Sequence, residues 1–172
     1  MSLFTIPSNS LEQMKVWRRN LHQYPEVGWT EFRTASIIAN ELNNLGFQVQ
    51  VGKEVVSENR MGVPSEEILT KVYESAVKNG GHIEYLEKMV GGYTGVVGTI
   101  VGSKPGPTIG FRFDMDALDI LESKETTHLP IEEQFVSEYE GRMHACGHDA
   151  HSSIGLGLAT ILSQNKENIE GI

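Results

Sequence analysis

The sequence predicts an α/β layered domain. Three observations carry that reading. Two amphipathic helical segments precede the first alternating run, "FQVQV" at residues 47–51. A second helical pattern lies between that run and the next strand-like segment. A third follows a compact cluster of chemically active residues near residue 150. Helices before and between strands are the pattern of layers packed on one core. The chain has 172 residues, enough to bury such a core. Its 39% hydrophobic and 22% charged residues are ordinary for a globular domain. No apolar run approaches the ~20 residues a membrane span needs. A formal charge of −9 argues against nucleic-acid and anionic-membrane partners, since phosphate binding needs clustered Lys and Arg. A single cysteine excludes an internal disulfide and fits a reducing compartment, so a cytoplasmic location is expected. The opening "MSLFTIPSNS" has neither the basic start nor the apolar core of a secretory signal and reads as a short tail.

Each element follows in order. Ser10 with Gln13 reads as a capping box. Leu11, Met14, Trp17, Leu21 and Tyr24 then recur at helical spacing, and Pro25 ends the helix. Phe32, Ala35, Ile38, Leu42 and Leu45 predict a second amphipathic helix with Gly46 just past its end. In "FQVQV", Phe47, Val49 and Val51 alternate as in a half-buried strand. From about 57 to 92 the character becomes helical. Ser65 can cap a helix carrying Ile68, Leu69, Val72, Tyr73, Ala76 and Val77, "KNGG" stops it, and a shorter helix runs from His82 to Met89. This stretch reads as a helical insertion at the edge of the sheet. "GVVGTIVG", "SKPGP" and "TIGFRFDMDAL" predict strand, turn and strand, with Gly110, Arg112, Asp114 and Asp116 on one face of the second strand. An acidic, loop-rich stretch runs from Glu122 to Glu140. Ile154, Leu158, Ile161 and Leu162 then mark a final helix, in which Gly155, Gly157 and Ala159 would admit a close neighbour.

The densest chemistry is "MHACGHDAH", Met143 to His151, which gathers three histidines, the only cysteine and an aspartate. Thiolate and imidazole suit soft-to-borderline divalent metals, and carboxylates add oxygen. Cys146 and His148 are two apart and can face the same way on an extended or looped segment; His148 and His151 are three apart and can share a helix face. Asp149 sits where a helix N-cap belongs. Two other readings stand beside metal binding. One is a buried free cysteine among surface histidines. The other is a cysteine nucleophile paired with a histidine, although no oxyanion element is identifiable. Asp114 and Asp116 read equally as loop caps or as site carboxylates, and Arg112 as an ion-pair partner for one of them.

"WRRNLHQYPEVGWTEFRTA", "GFRFDMDAL" and "MHACGHDAHSSIGLGLA" together resemble the N-terminal part of M20-type metallo-amidohydrolases, in the branch of hippurate hydrolases and indoleacetyl-amino-acid hydrolases. The insertion's entry "GKEVVSENRMGVP" and exit "GGYTGVV" are similar to the aminobenzoyl-glutamate-hydrolysing members of that branch. The resemblance implies a three-layer αβα zinc-peptidase-like catalytic domain, of which residues 1–172 are the N-terminal part. The rest of the catalytic domain and a lid or dimerisation domain would lie outside it. It implies two divalent metal ions, zinc or manganese, and hydrolysis of the amide of a small N-acyl or N-aroyl amino acid, aminobenzoyl-glutamate among the candidates. A homodimer, or pairing with a related subunit, is the implied assembly.

Residue by residue, Cys146 and His148 match two metal ligands, and Asp116 matches an aspartate that orients a ligand. Asp114 stands where the wider superfamily has a ligating histidine. Asp114, His144, Asp149 and His151 are thus candidates for the shell around the ligands. His22, Glu26 and Glu31 match recurring positions without an assigned role. The family's Glu-Glu pair, general base and ligand, and its later histidine ligands do not occur in residues 1–172, so the chain alone is expected to be inactive. The alternative is a non-catalytic metal-binding fragment, or an assembly partner of a split or truncated hydrolase.

Overall fold

A computed structural model of the chain describes residues 7–172; the first six residues of the N-terminal tail lie outside the described residues. The first helix, α1, spans Ser10–Gln23 and stops just before Pro25, whose ring cannot continue it. Asn9 holds its N-cap position without a side-chain bond, so the expected capping box is not formed. Ser10 is already helical. Its N–H reaches the Pro7 carbonyl at 3.1 Å, and the Gln13 N–H is taken by the Asn9 carbonyl at 3.0 Å. Leu11, expected on the apolar face, is exposed. Burial begins further along, with the Met14 thioether lying against Gly157.

Helix α2, Phe32–Asn44, presents Phe32, Ala35 and Ala39 to the core. Gly46 follows it at φ 82°, the left-handed conformation expected of a residue just past a helix end. Strands β1 (Gln48–Val51) and β2 (Val96–Thr99) pair antiparallel, Gln48 opposite Thr99 and Val51 opposite Val96. Between them lie α3, Glu66–Lys78, and α4, Ile83–Met89. The Ser65 hydroxyl caps α3 by accepting the Ile68 N–H at 3.4 Å. Leu69, Ala76, Tyr85, Leu86 and Met89, all from the stretch 57–92, make up more than half of the buried core cluster they form with Phe32, Ala35, Ala39 and Val51. Ile68 and Val77, placed on the same face by periodicity, are exposed. The helical stretch is therefore integral to the core.

The segment 108–118 departs from expectation. It is extended, but no ladder pairs it among the described residues. Its backbone-to-backbone bonds lie only near its ends: the Ile109 N–H donates to the Ile172 carbonyl, the Ala117 N–H to the Glu26 carbonyl, and Leu118 pairs with Met143. A strand exists only with a partner for its backbone groups, and Ile109 and Phe111 stay about 60% exposed. The expected hairpin at "SKPGP" is also absent, because β2 pairs back onto β1 and Lys104 instead bridges Glu170. A short helix α5, Leu129–Glu132, interrupts the acidic loop. Helix α6, His148–Gln164, packs along α1 and buries Leu156 and Ala159.

Candidate metal centre

The cluster sits where the extended segment 108–118 meets the start of α6. Met143 is pinned to Leu118 by backbone bonds of 3.1 Å in each direction, which brings the cluster beside Asp114 and Asp116. Gly147 occupies the α6 N-cap position at φ 77°, a left-handed conformation that suits glycine, and helix begins at His148. Asp149 is thus inside the first turn and does not cap the helix as its position in sequence suggested. Cys146 is free and exposed, which overturns the reading of a buried structural cysteine.

The His148 Nδ1–H donates to the Asp116 carboxylate at 2.9 Å and lies 3.1 Å from the Asp116 carbonyl. With Nδ1 protonated, Nε2 carries the lone pair, the arrangement in which a carboxylate orients a metal-binding histidine. His151 is arranged differently. Its Nδ1 accepts the Asp114 N–H at 3.0 Å, and the Ser152 hydroxyl donates to the Asp114 carbonyl at 3.2 Å, so both side chains hold the extended segment against α6. Arg112 pairs with Asp114 at 2.7 Å as expected, but from an exposed position that makes the pair weak.

Beneath this surface lies a buried charge network. His22, from α1, is 2% exposed. Its Nδ1–H donates to Asp149 and its Nε2–H to Glu122, both at 2.8 Å. Burial alone would lower its pKa, but the two carboxylates outweigh that and raise it. Asp149 also receives Arg18 at 2.9 Å, and Glu122 receives His128 at 2.8 Å and the Ser137 N–H at 2.7 Å. Burial opposes ionisation of both acids, yet these partners hold their pKa values below the ordinary range. Phe135 underlies the network, its ring edge-on to His22 and about 5 Å from the Arg18 and Arg19 guanidiniums. His144 is buried beside His22 with neither ring nitrogen bonded, and burial drives its pKa down to about 4. It is neutral at pH 7. Asp149 Oδ1 is likewise buried without a partner.

Two further acids lie on the α2 side. Glu26 accepts the Arg33 and Thr34 N–H groups at 2.9 and 2.8 Å, and Glu31 accepts the Thr94 hydroxyl at 2.7 Å. Burial pushes both carboxyls up to about 7. Glu31 also feels the charge of Asp116.

The structure thus brings Asp116 and His148 together, sets Cys146 two residues before His148 on the open side, and turns His144 and Asp149 inward. Glu122 escaped sequence reasoning, because nothing in "ILESKE" marks it as the partner of a residue 100 positions earlier. The donor chemistry fits a divalent metal in part: a thiol and an oriented imidazole can bind one. No group of three or more potential ligands is assembled among the described residues.

Comparison with known proteins gives these groups a context. The profile of Peptidase family M20/M25/M40 matches residues 110–171. An indole-3-acetyl-aspartic acid hydrolase of Enterobacter agglomerans is 45% identical over 94% of this chain and 37% of its own length. One subunit of the p-aminobenzoyl-glutamate hydrolase of Escherichia coli is 45% identical over 95% of this chain and 38% of its own. The crystal structure of an aminobenzoyl-glutamate utilization protein from Klebsiella pneumoniae superposes with TM-score 0.76 at 37% identity, over 95% of this chain and 35% of that one. A dinuclear metal binding peptidase of the M20 family from Bacillus subtilis superposes with TM-score 0.64 at 28% identity, over 96% and 34%. The chain therefore spans somewhat over a third of the length of the relatives it matches, and its fold is the α/β fold of M20 peptidase catalytic domains.

Proposed function

For a chain that belongs to peptidase family M20/M25/M40, we propose a part in the metal-dependent hydrolysis of the amide bond of an N-acyl or N-aroyl amino acid. Aminobenzoyl-glutamate and indoleacetyl-aspartate, the compounds for which the two 45%-identical hydrolases are named, are the candidate substrates. The observation that carries the reading is the contact of His148 Nδ1 with Asp116 at 2.9 Å, beside the exposed Cys146 thiol. Cys146 as thiolate and His148 through Nε2 would hold a divalent metal, zinc or manganese, in a centre of two ions. Such a centre polarises the scissile carbonyl and activates water. Asp116 keeps the His148 ring in the ligating tautomer and orientation. The His22–Asp149 contact fixes the first turn of α6, from which His148 projects. The Escherichia coli relative is one subunit of its hydrolase, which supports an assembly with a second, related chain; a homodimer is the other form. We place the protein in the cytoplasm, and among the described residues no helix is long and apolar enough to cross a membrane.

A second reading, a metal-binding chain that does not itself catalyse, is favoured by one observation: the described residues assemble fewer than three ligands. Residues 57–92 are proposed to be an insertion within the catalytic domain. The deciding experiment is elemental analysis of the full-length protein and its Cys146→Ala and Cys146→Ser variants, alongside hydrolysis of aminobenzoyl-glutamate. Cys146→Ala is expected to lose metal and activity together, and Cys146→Ser to keep part of both, because a hydroxyl is a poorer ligand than thiolate for these metals. Full metal content in Cys146→Ala would overturn the assignment.

A further inference from the structure

The fold uses His151 through one ring nitrogen only. The residue stands on the first turn of α6, three positions after His148, with 38% of its side chain exposed. Both rings meet the extended segment through the same atom. The His148 Nδ1–H donates to the Asp116 carboxylate at 2.9 Å, and the His151 Nδ1 accepts the Asp114 N–H at 3.0 Å. Two residues of extended chain rise about 6.6 Å, and the two ring centroids are 6.1 Å apart. The rings therefore stand side by side, each with Nδ1 against the segment and Nε2 turned away from it. Their protons are placed oppositely. A neutral imidazole has one N–H and one lone pair. On His148 the N–H is at Nδ1 and the lone pair at Nε2. On His151 the lone pair at Nδ1 is taken by a backbone N–H, so Nε2 carries the proton. The Asp114 carboxylate does not reverse this, because it lies 3.7 Å from Nδ1, beyond hydrogen-bond reach. Among the described residues the Nε2–H meets no acceptor.

We infer that His151 is a ligand-binding residue of the centre and not a metal ligand: its Nε2–H donates to a carboxylate that also rests on the ion held by Cys146 and His148. The inference rests on the metal assignment above. A histidine that binds metal through Nε2 has no proton there, and a proton moved to Nδ1 would break the bond from Asp114. The spacing suits a donor. Metal–nitrogen and metal–oxygen bonds of about 2.1 Å each, followed by a hydrogen bond of about 2.9 Å, make a bent path that spans rings 6.1 Å apart. Hydrolysis of an amide releases a carboxylate, so the proposed reaction itself supplies a group of this kind.

The test uses the full-length, zinc-loaded protein with isotope-labelled histidine rings, nitrogen NMR, and acetate as the probe. In the wild type His151 is expected to be protonated at Nε2 and bare at Nδ1, and its Nε2 signal should shift as acetate saturates the site. Two variants separate the two nitrogens. In His151→Asn the amide oxygen stands near the place of Nδ1 and can still accept the Asp114 N–H, but no donor reaches the place of Nε2. Acetate affinity should fall about tenfold or more, the worth of a hydrogen bond to a charged group, with zinc content and the His148 signals unchanged. In His151→Gln the longer amide carries an N–H to the place of Nε2, and affinity should stay within about threefold of the wild type. A His151 needed only for its grip on the extended segment gives the reverse order, with Asn tolerated and Gln impaired. That order overturns the inference. So does a His151 proton on Nδ1, a zinc-bound His151 Nε2, or acetate affinity unchanged in His151→Asn. The zinc content of Cys146→Ala reads the metal assignment separately. Zinc retained there sinks that assignment whatever His151 does. Zinc lost there, with the His151 proton found on Nδ1, sinks the donor and leaves the metal assignment standing.

Discussion

The two sides of α2 are held together by different physics. On one side α3, α4 and β1 enclose Phe32, Leu86 and Met89, all fully buried and apolar. On the other, α1, α6 and the loop 119–140 meet through Arg18, His22, Glu122, His128 and Asp149. The apolar side is non-directional, and its energy scales with the area it removes from water. The ionic side is directional. The buried members, His22, Glu122 and Asp149, are tolerated in the interior only because partners of opposite charge lie 2.8–2.9 Å away. The lesson is a division of labour: one side keeps the chain folded, and the other sets where the His148 ring and the Cys146 thiol stand.

The sharpest way to break this comparison is Asp149→Ala. It leaves Arg18 and the buried His22 without their shared carboxylate, and losing one member of a buried pair costs about 3–5 kcal/mol. Urea unfolding followed by tryptophan fluorescence reads that loss. A chelator competition should in addition show weaker metal binding, because the first turn of α6 is no longer held. Leu86→Ala on the apolar side should cost a comparable or smaller amount, about 3 kcal/mol for a cavity in a closed core, with metal affinity unchanged in the fraction that remains folded. Equal loss of metal binding in both variants would erase the distinction.

The effect of pH sharpens it further. In the unfolded chain Glu26 and Glu31 titrate near 4.5, and in the folded chain near 7. Between these values the folded chain keeps protons that the unfolded chain has released, so stability should fall as pH rises through that window. For the fully buried Glu26 the fall is on the order of 3 kcal/mol. His22 acts on the opposite side of α2 with the same sign. Its raised pKa gives a contribution that is full below 6.5 and lost as pH rises through the folded value. Urea midpoints from pH 4.5 to 8.5 should therefore decline in the wild type. Glu26→Gln should flatten the lower part of that decline and leave the part above 6.5 in place.

Much of the apolar side was legible in the sequence. Ser65, the helical spacing of Leu69, Val72, Tyr73 and Ala76, and Gly46 each express a local rule, and the structure follows them. The rules failed where a neighbour had to be known. Alternation in 108–118 marks an extended chain but cannot supply the ladder that makes a strand. Ser10 and Asp149 fit capping patterns, yet each lies inside its helix, because helix begins earlier than the motif implies, by one residue at Ser10 and by two at Asp149. The ionic side was legible in its ligands and not in its supports. Cys146 and His148 are conspicuous by density. Glu122 and the inward turn of His144 depend on contacts across 100 residues or more, which periodicity does not encode.

The Phe113 ring works as a mechanical part. It lies edge-on to His151 at 5.1 Å and close against Gly155, the residue one helical turn further along α6. A Cβ at Gly155 would sit 2.8 Å from that ring. The missing side chain therefore acts as a depth stop. It lets the extended segment seat fully against the helix, and the seated segment carries Asp114 and Asp116 on the next three residues. A single methyl group added at the seat would lift that arm outward, and the gap between the Asp116 carboxylate and the His148 ring would widen without any change at either residue.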